Sequence, residues 1–295
     1  MIVVTTPTGR VGRQVVDNLL DNTDAIRVIT RDPSRLSARV RERAEVAQGP
    51  SDDIDVVTEA FDGAECVFWL VPPNLRAGRP EDYYLDFTRP ACEAITSQGV
   101  RRVVGISTLG YGYPGNAGIL SAALAMNELI EHTGVSYRAL AMPYFMENLL
   151  GQAGTVRSQG VFSLANAADR PLATVAVADV AEVAAGLLLD RSWKGQGSLP
   201  VAGPDDHLTP AGMAQVLSEV LDRPVRFHQI SIADHQAMML RHGVSKPWAQ
   251  GVADMIKAQN DGIYARKPRT TQLATPTSFR QWCVGVLKPA VLAGR

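Results

Sequence analysis

Two glycines, a group of threonines and one arginine carry the first chemistry in this chain. The stretch "TTPTGRVG", Thr5 to Gly12, follows the apolar run "MIVV" and leads into the helical pattern "GRQVVDNLLDN". A strand, a turn and a helix with glycines three apart suit a phosphate group. The helix N-terminus offers N–H groups and the positive end of its dipole, and glycine lets the backbone come close. Gly9 gives that approach, Gly12 lets the helix pack close to the strand, and Thr6 stands where a glycine often makes the turn. The hydroxyls of Thr5, Thr6 and Thr8 can bind phosphate or close the turn. Arg31 lies nineteen positions beyond Gly12, at the end of the second apolar run. NAD-binding chains usually carry a carboxylate there for the ribose 2′-OH, whereas an arginine suits a 2′-phosphate. Arg35 is one helical turn further and able to assist, and Asp32 is placed to cap the helix that begins near Pro33. The loop and the arginine together read as a site for NADP(H).

The elements that position these groups alternate. Strands read at "MIVVT", "AIRVITR", "AEVAQG", "CVFWLVPP", "VRRVVGIST" and "VSYRALAMP", with helical patterns between them. "CVFWLVPP" is continuously apolar, as expected of a strand covered on both faces. Six repeats of this alternation predict an α/β fold, a doubly wound parallel Rossmann sheet whose strand carboxyl ends gather the ligand loops. Beyond Asn148 the texture turns to Gly, Ser and Asn without clear period. The reading is a nucleotide-binding domain over 1–150, rejoined by 171–192. Residues 151–170 and 193–295 form a smaller α/β lobe over the strand ends. Asp179 is placed to cap one late helix, and Thr209 with Pro210 to open another.

Composition sets limits. Lys+Arg 29 against Asp+Glu 30 leaves a net charge of -1, which gives no reason to expect nucleic acid as a partner. Cys66, Cys92 and Cys283 are scattered, and the five histidines lack ligand spacing, so no metal site is expected. No apolar run approaches the length of a bilayer span, and the reading is a cytoplasmic protein without a membrane partner. The helix "HQAMMLRHG" carries a methionine stripe that suits either core packing or a flat apolar ligand.

Beyond these residues, the sequence resembles the NmrA-like group of atypical short-chain dehydrogenases/reductases. The matching stretches include "TRDPSRL", "AFDGAECVFWLVPP", "VRRVVGIST", "NELIEHTGVSYRALAMPYFMENLL", "VAVADVAEVAAGLLLD" and "GPDDHLTPAGMAQVLSEVLDRPVRF", in family order. The resemblance implies NADPH contacts from Thr6, Pro7, Thr8, Gly9, Arg10, Val11 and Gly12, and from Arg31. It implies others at Ser51 and Asp52, at Val71, Pro72 and Pro73, and at Met142, Pro143, Tyr144 and Phe145. Ser107 and Thr108 end the fifth strand, where related reductases place a substrate-facing hydroxyl.

Typical members of the wider group use Tyr-x-x-x-Lys, the lysine lowering the pKa of a tyrosine acid. No lysine occurs here before Lys194, and the corresponding positions fall near Ile119 and Ala123. Three readings follow. The chain reduces a quinone-like or conjugated carbonyl compound that needs little acid assistance, with Tyr111, Tyr113, Tyr144 and Asn148 as candidate substrate contacts. Alternatively, it is an NADP(H)-binding sensor whose redox state governs a protein partner, or a biosynthetic protein that holds a polycyclic aromatic substrate. A homodimer is compatible with each.

Overall fold

The computed structural model describes residues 1–23, 25–265 and 274–293. Six strands follow the expected alternation: β1 (Ile2–Thr5), β2 (Ile26–Thr30), β3 (Glu45–Gln48), β4 (Cys66–Trp69), β5 (Arg102–Thr108) and β6 (Ser136–Met142). Between them run α1 (Arg10–Leu20), α2 (Ala38–Arg43), α3 (Ile54–Phe61), α4 (Pro80–Ser97) and α5 (Ile119–Glu131). Later strands are β7 (Tyr144–Phe145), β8 (Val161–Leu164), β9 (Thr174–Val175), β10 (Gln196–Pro200) and β11 (Arg226–Gln229). Later helices are α6 (Ala153–Gln159), α7 (Val177–Leu189), α8 (Pro210–Leu221), α9 (Ile232–Arg241), α10 (Lys246–Asn260), α11 (Phe279–Trp282) and α12 (Lys288–Leu292).

The main sheet has seven strands in the order β10-β6-β5-β4-β1-β2-β3. Ile2 pairs in parallel register with Ile26 on one side and Cys66 on the other. The order reverses between β1 and β4, and such a reversal opens a crevice at the strand carboxyl ends. All four residues of β4 are buried, which explains its unbroken apolar run. Val11, Gly12, Val15, Val16, Leu19 and Leu20 form the buried stripe of α1. The first unit's core joins Val3, Ile29, Phe61, Trp69, Phe87 and Tyr137.

Two compact units share the chain. One holds Met1–Thr108, Ser121–Ala141 and Val180–Leu199; the other holds Leu109–Leu120, Met142–Asp179 and Pro200–Arg295. This division differs from the expected 1–150 boundary, because the loop after β5 and the segment after β6 pack with late residues. A second correction concerns "GSLPV". The sequence pattern assigns it to the smaller lobe, yet β10 hydrogen-bonds beside β6 as the edge of the main sheet. The stretch reads as a short strand, but its polar, partly exposed sequence gives no sign of which sheet edge it joins.

In the second unit, β8 pairs with β11 and β7 with β9, both in parallel. Its core gathers Met146, Leu149, Phe162, Met213, Leu217, Phe279 and Trp282. Buried Glu147 ties it together, since Oε1 accepts from the Val177 amide at 3.1 Å and from Trp282 Nε1 at 3.0 Å. Thr209 caps α8, accepting from Gly212 N, with Pro210 in the first turn as the sequence predicts. The methionine stripe of α9 is largely solvent-facing: α9 has no buried residue, and Met239 alone of its methionines packs beside Val252 and Ile256.

Asp179 does not cap α7. It lies inside the first turn, and its carboxylate accepts from Thr277 Oγ1 at 2.6 Å and Thr277 N at 3.1 Å. Hydrogen bonds to a charged acceptor contribute about 1.5–3 kcal/mol each. Asp179→Ala is therefore expected to lower unfolding stability in urea by about 2 kcal/mol or more. A loss below about 0.5 kcal/mol, the scatter of ordinary surface changes, counts against this clasp.

Candidate functional site

The turn after β1 is built around one carbonyl. Thr6 adopts φ +52, the left-handed conformation that a glycine would take without penalty. This turns the Thr6 carbonyl toward the helix start, where it accepts from Gly9 N at 3.0 Å. A Cβ on Gly12 would stand 2.2 Å from the same oxygen, so only glycine lets α1 begin there. Gly9 is the N-cap and brings no side-chain hydrogen bond, and the first turn of α1 contains no acidic residue. The helix start is thus open to an anion. The hydroxyl of Thr6 is buried without a partner, an orphaned donor at the same turn. Thr5 acts on the strands instead. Its Oγ1 donates to Phe68 O at 3.0 Å and accepts from Leu70 N at 3.1 Å, joining β1 to the end of β4. Pro7, Val11 and Gly12 are buried, whereas Arg10 is exposed.

Arg31 leaves the end of β2 exposed, and Arg35 is exposed as well. Asp32 turns away to cap the short helix Pro33–Arg35, accepting from Ser34 N at 3.0 Å and Ser34 Oγ at 2.6 Å. Those bonds hold its carboxyl below the usual range. Ser51 is buried and Asp52 exposed after β3, while Asp53 is occupied capping α3. Val71 is buried, with Pro72 and Pro73 progressively more exposed beyond β4.

Sequence reading missed Tyr83. Its hydroxyl donates to Pro72 O at 2.9 Å, and burial, then the Asp52 carboxylate, raises its pKa while Arg31 opposes the rise. The ends of β2, β3 and β4 therefore converge electrostatically on one phenol. A cavity of about 340 Å³ lies there, lined by Asp52, Arg79, Asp82, Tyr83, Asp86 and Phe87 among others. The pair "DYY", one helical turn into α4 behind a proline-rich loop, was the available signal.

Ser107 and Thr108 end β5, and both are buried. In the second unit, Met142 and Pro143 are buried, with Tyr144 and Phe145 half-buried in β7. Tyr144 is hydrogen-bonded to exposed Asn148; burial first, and Tyr264 second, raise the phenol pKa strongly. These two candidates come together. Tyr113 packs with Ala117, Leu120 and Ile263, and Tyr111 is 69% exposed. Tyr264, also missed, accepts from Gln259 Nε2 at 2.9 Å, and Gln259 is held by Asn166. Among the described residues, no group of three His, Cys, Asp or Glu could hold a metal ion.

Strand order, glycine turn and open helix start define a Rossmann-type nucleotide-binding unit. The profile of the NAD(P)H-binding family matches residues 7–191, and the chain belongs to that family. A (4-alkanoyl-5-oxo-2,5-dihydrofuran-3-yl)methyl phosphate reductase of Streptomyces griseus is 30% identical over 287 residues, 96% of each chain. Quinone oxidoreductase 2 of Escherichia coli is 24% identical over 264 residues, 89% of this chain and 87% of the relative. Among solved structures, the Citrobacter sp. triphenylmethane reductase complexed with NADP(H) superposes with a TM-score of 0.82 at 19% identity, covering 99% and 100% of the two chains. The NADPH-dependent quinone oxidoreductase of Escherichia coli gives 0.80 at 22% identity, covering 95% and 98%.

The two glycines are expected to fail differently. A Cβ at Gly9 would stand 3.3 Å from Thr6 O, a tight contact that a shift of a few tenths of an ångström relieves at this extended, exposed position, far milder than the 2.2 Å at Gly12. Gly9→Val should keep the unfolding midpoint and lose NAD(P)H binding, because branched bulk blocks the phosphate approach. Gly12→Ala should instead lower stability by roughly 1–3 kcal/mol through overpacking. Titration calorimetry and urea unfolding read the two effects separately; normal cofactor affinity in Gly9→Val would show the phosphate lies elsewhere.

Proposed function

We propose that this protein is an NADPH-dependent reductase of quinone-like or conjugated carbonyl compounds. The observation that carries the reading is an intact nucleotide turn in a chain whose helix α5 has Ile119 and Ala123 where a Tyr-x-x-x-Lys pair would stand. The turn from Thr6 to Gly12 would hold the pyrophosphate, and exposed Arg31, with Arg35, the 2′-phosphate. NADPH, when bound, supplies the hydride. Without a lysine-activated phenol, the chain suits acceptors whose oxyanion products are stabilised by resonance, so that orientation contributes most of the rate. The relatives' names support this: a reductase of an oxo-dihydrofuran bearing an alkanoyl group, a quinone oxidoreductase and an NAD(P)H azoreductase all point to conjugated acceptors. Tyr111, Tyr113, Tyr144 and Asn148 remain the candidate substrate contacts. Three free, buried thiols suit a reducing compartment, and we place the protein in the cytoplasm.

NADPH should be consumed with a quinone panel, and NADH should be a much poorer donor. Arg31→Asp should remove most of that preference, since a charge-assisted phosphate contact is worth about 1.5–3 kcal/mol. Equal affinity for both cofactors in the unmutated protein would sink the assignment of Arg31. The absorbance of the nicotinamide decides turnover: tight NADPH binding with no oxidation across quinones and enones would favour a sensor instead.

The pH profile should be nearly flat between about pH 6 and 8. Burial raises the phenols of Tyr83, Tyr137 and Tyr144, and it pushes Cys66 and Cys92 up to about 12. All of these stay protonated through that window and change no charge there. A sigmoid rise or fall in kcat centred near neutrality would reveal a titrating acid that this reading lacks.

A further inference from the structure

One phenol and one cavity of the first unit lie outside the glycine turn and the arginine pair. Tyr83 is fixed at both ends. Its ring lies against Phe87 with centroids 5.8 Å apart, and Phe87 lies against Trp69, the last residue of β4, at the same distance. Trp69 is buried and donates from Nε1 to Thr88 Oγ1 at 3.2 Å, which anchors this ladder of rings in the core. At the other end, the Tyr83 hydroxyl donates to Pro72 O at 2.9 Å. The start of α4 sets the reach: Pro80 fills the first position, and Tyr83 N closes the first turn on Arg79 O at 3.1 Å. The segment gripped in this way does little to hold itself. Pro72 and Pro73 bring no N–H. Before them Leu70 N is taken by Thr5 Oγ1, and after them Ala77 N bonds locally to Asn74 O. The loop that leaves β4 is therefore tied to β1 by Thr5 and to α4 by Tyr83. The same phenol lines the cavity of about 340 Å³, together with Phe87, Gly78 and Asp52. Two aromatic rings, a carboxylate and a glycine suit a flat heteroaromatic ring that carries N–H donors.

Building on the reading of this unit as an NADPH site, we infer that Tyr83 is a positioning residue for the adenine end of the dinucleotide. Its hydroxyl latches the loop after β4 to α4 and keeps the cavity open to the width of a purine. The rings of Tyr83 and Phe87 would offer the base their apolar surface. The latch acts through Pro72 and moves no proton. Burial, then the Asp52 carboxylate, raises the phenol pKa, so the hydroxyl keeps its proton and the latch holds across the neutral range. Arg31 opposes that rise, which puts the phenol in the field of the charge read as the 2′-phosphate contact. Without the hydroxyl, the two prolines and the residues up to Gly78 gain freedom, and the base must order them as it binds. That cost falls on the adenosine end.

Titration calorimetry of the unmutated protein and Tyr83→Phe with two ligands tests the latch. NADPH carries the whole dinucleotide; adenosine 2′,5′-bisphosphate carries the adenosine end and lacks the nicotinamide half. Tyr83→Phe should weaken both by the same factor, roughly 3- to 10-fold, as expected for one neutral hydrogen bond. Hydrogen exchange at residues 74–79 of the unliganded variant should quicken while β1 stays as it was. Saturating adenosine 2′,5′-bisphosphate should restore the protection. A merely structural loosening would cost NADPH, which touches the whole site, more than its fragment, and would quicken β1 as well. That pattern, or unaltered affinity for both ligands, overturns the inference and leaves the reductase reading standing. Tyr83→Phe removes one oxygen from a half-buried side chain and keeps the ring. Should its midpoint in urea fall nonetheless, Phe87→Leu, which keeps the hydroxyl and removes the ring behind it, must weaken both ligands equally for the inference to stand. Failure of the unmutated protein to bind NADPH overturns the reading of the unit and this inference together.

Discussion

The approach of α1 to the Thr6 carbonyl is the constraint on which the nucleotide site depends. With space for a hydrogen and no more at Gly12, the helix begins close behind the strand, and its open first turn lies beside the strand ends. The same closeness obliges residue 6 to turn its carbonyl inward, which needs a left-handed backbone. Glycine adopts that conformation freely, whereas threonine does so at a cost of about 1–2 kcal/mol. That cost is tolerable because the turn is held from several directions. The Thr6 carbonyl receives Gly9 N, Pro7 stiffens the next step, and Thr5 anchors the strand end to Phe68 and Leu70. A substitution that looks like a damaged motif is thus a strained but fully supported version of it.

The parts of the fold that were legible in the sequence share a cause. Buried parallel strands and amphipathic helices leave strong periodicity, so β1 to β6 and the stripe of α1 stood out. Caps with a single geometric requirement, such as Thr209 and Asp32, were equally plain. What escaped were features decided by distant partners. β10 reads as a short strand, but its place at the edge of the main sheet is decided by β6, far away in the chain. Asp179 has the spacing of a cap, yet its carboxylate accepts instead from Thr277, 98 residues away. Tyr83 joins the site because three strand ends place Pro72, Asp52 and Arg31 around it. Ser107 was visible as a strand-end hydroxyl, but nothing local to Asn127 or Tyr137 announces that they hydrogen-bond in a chain to it.

A tyrosine acid and a buried phenol meet opposite physical requirements. A tyrosine acid must be able to lose its proton, so it needs a lysine nearby and a polar, hydrated setting. Tyr137 and Tyr144 go the other way: burial raises both phenols, so that each remains a neutral hydroxyl. Neutral donors do little for an unactivated ketone, whose alkoxide must be protonated as it forms. For a conjugated acceptor the negative charge is shared over the ring, and a fixed hydrogen bond matches what develops. Fixing it is the harder requirement, because a serine hydroxyl rotates freely and satisfies whichever neighbour accepts. Asn127 Nδ2 donates to the Ser107 oxygen, and the Tyr137 hydroxyl donates in turn to Asn127 Oδ1, so the three polar groups are held in order inside the first unit. Gly105 belongs to the same arrangement, since a side chain there would displace the phenol that sets the order.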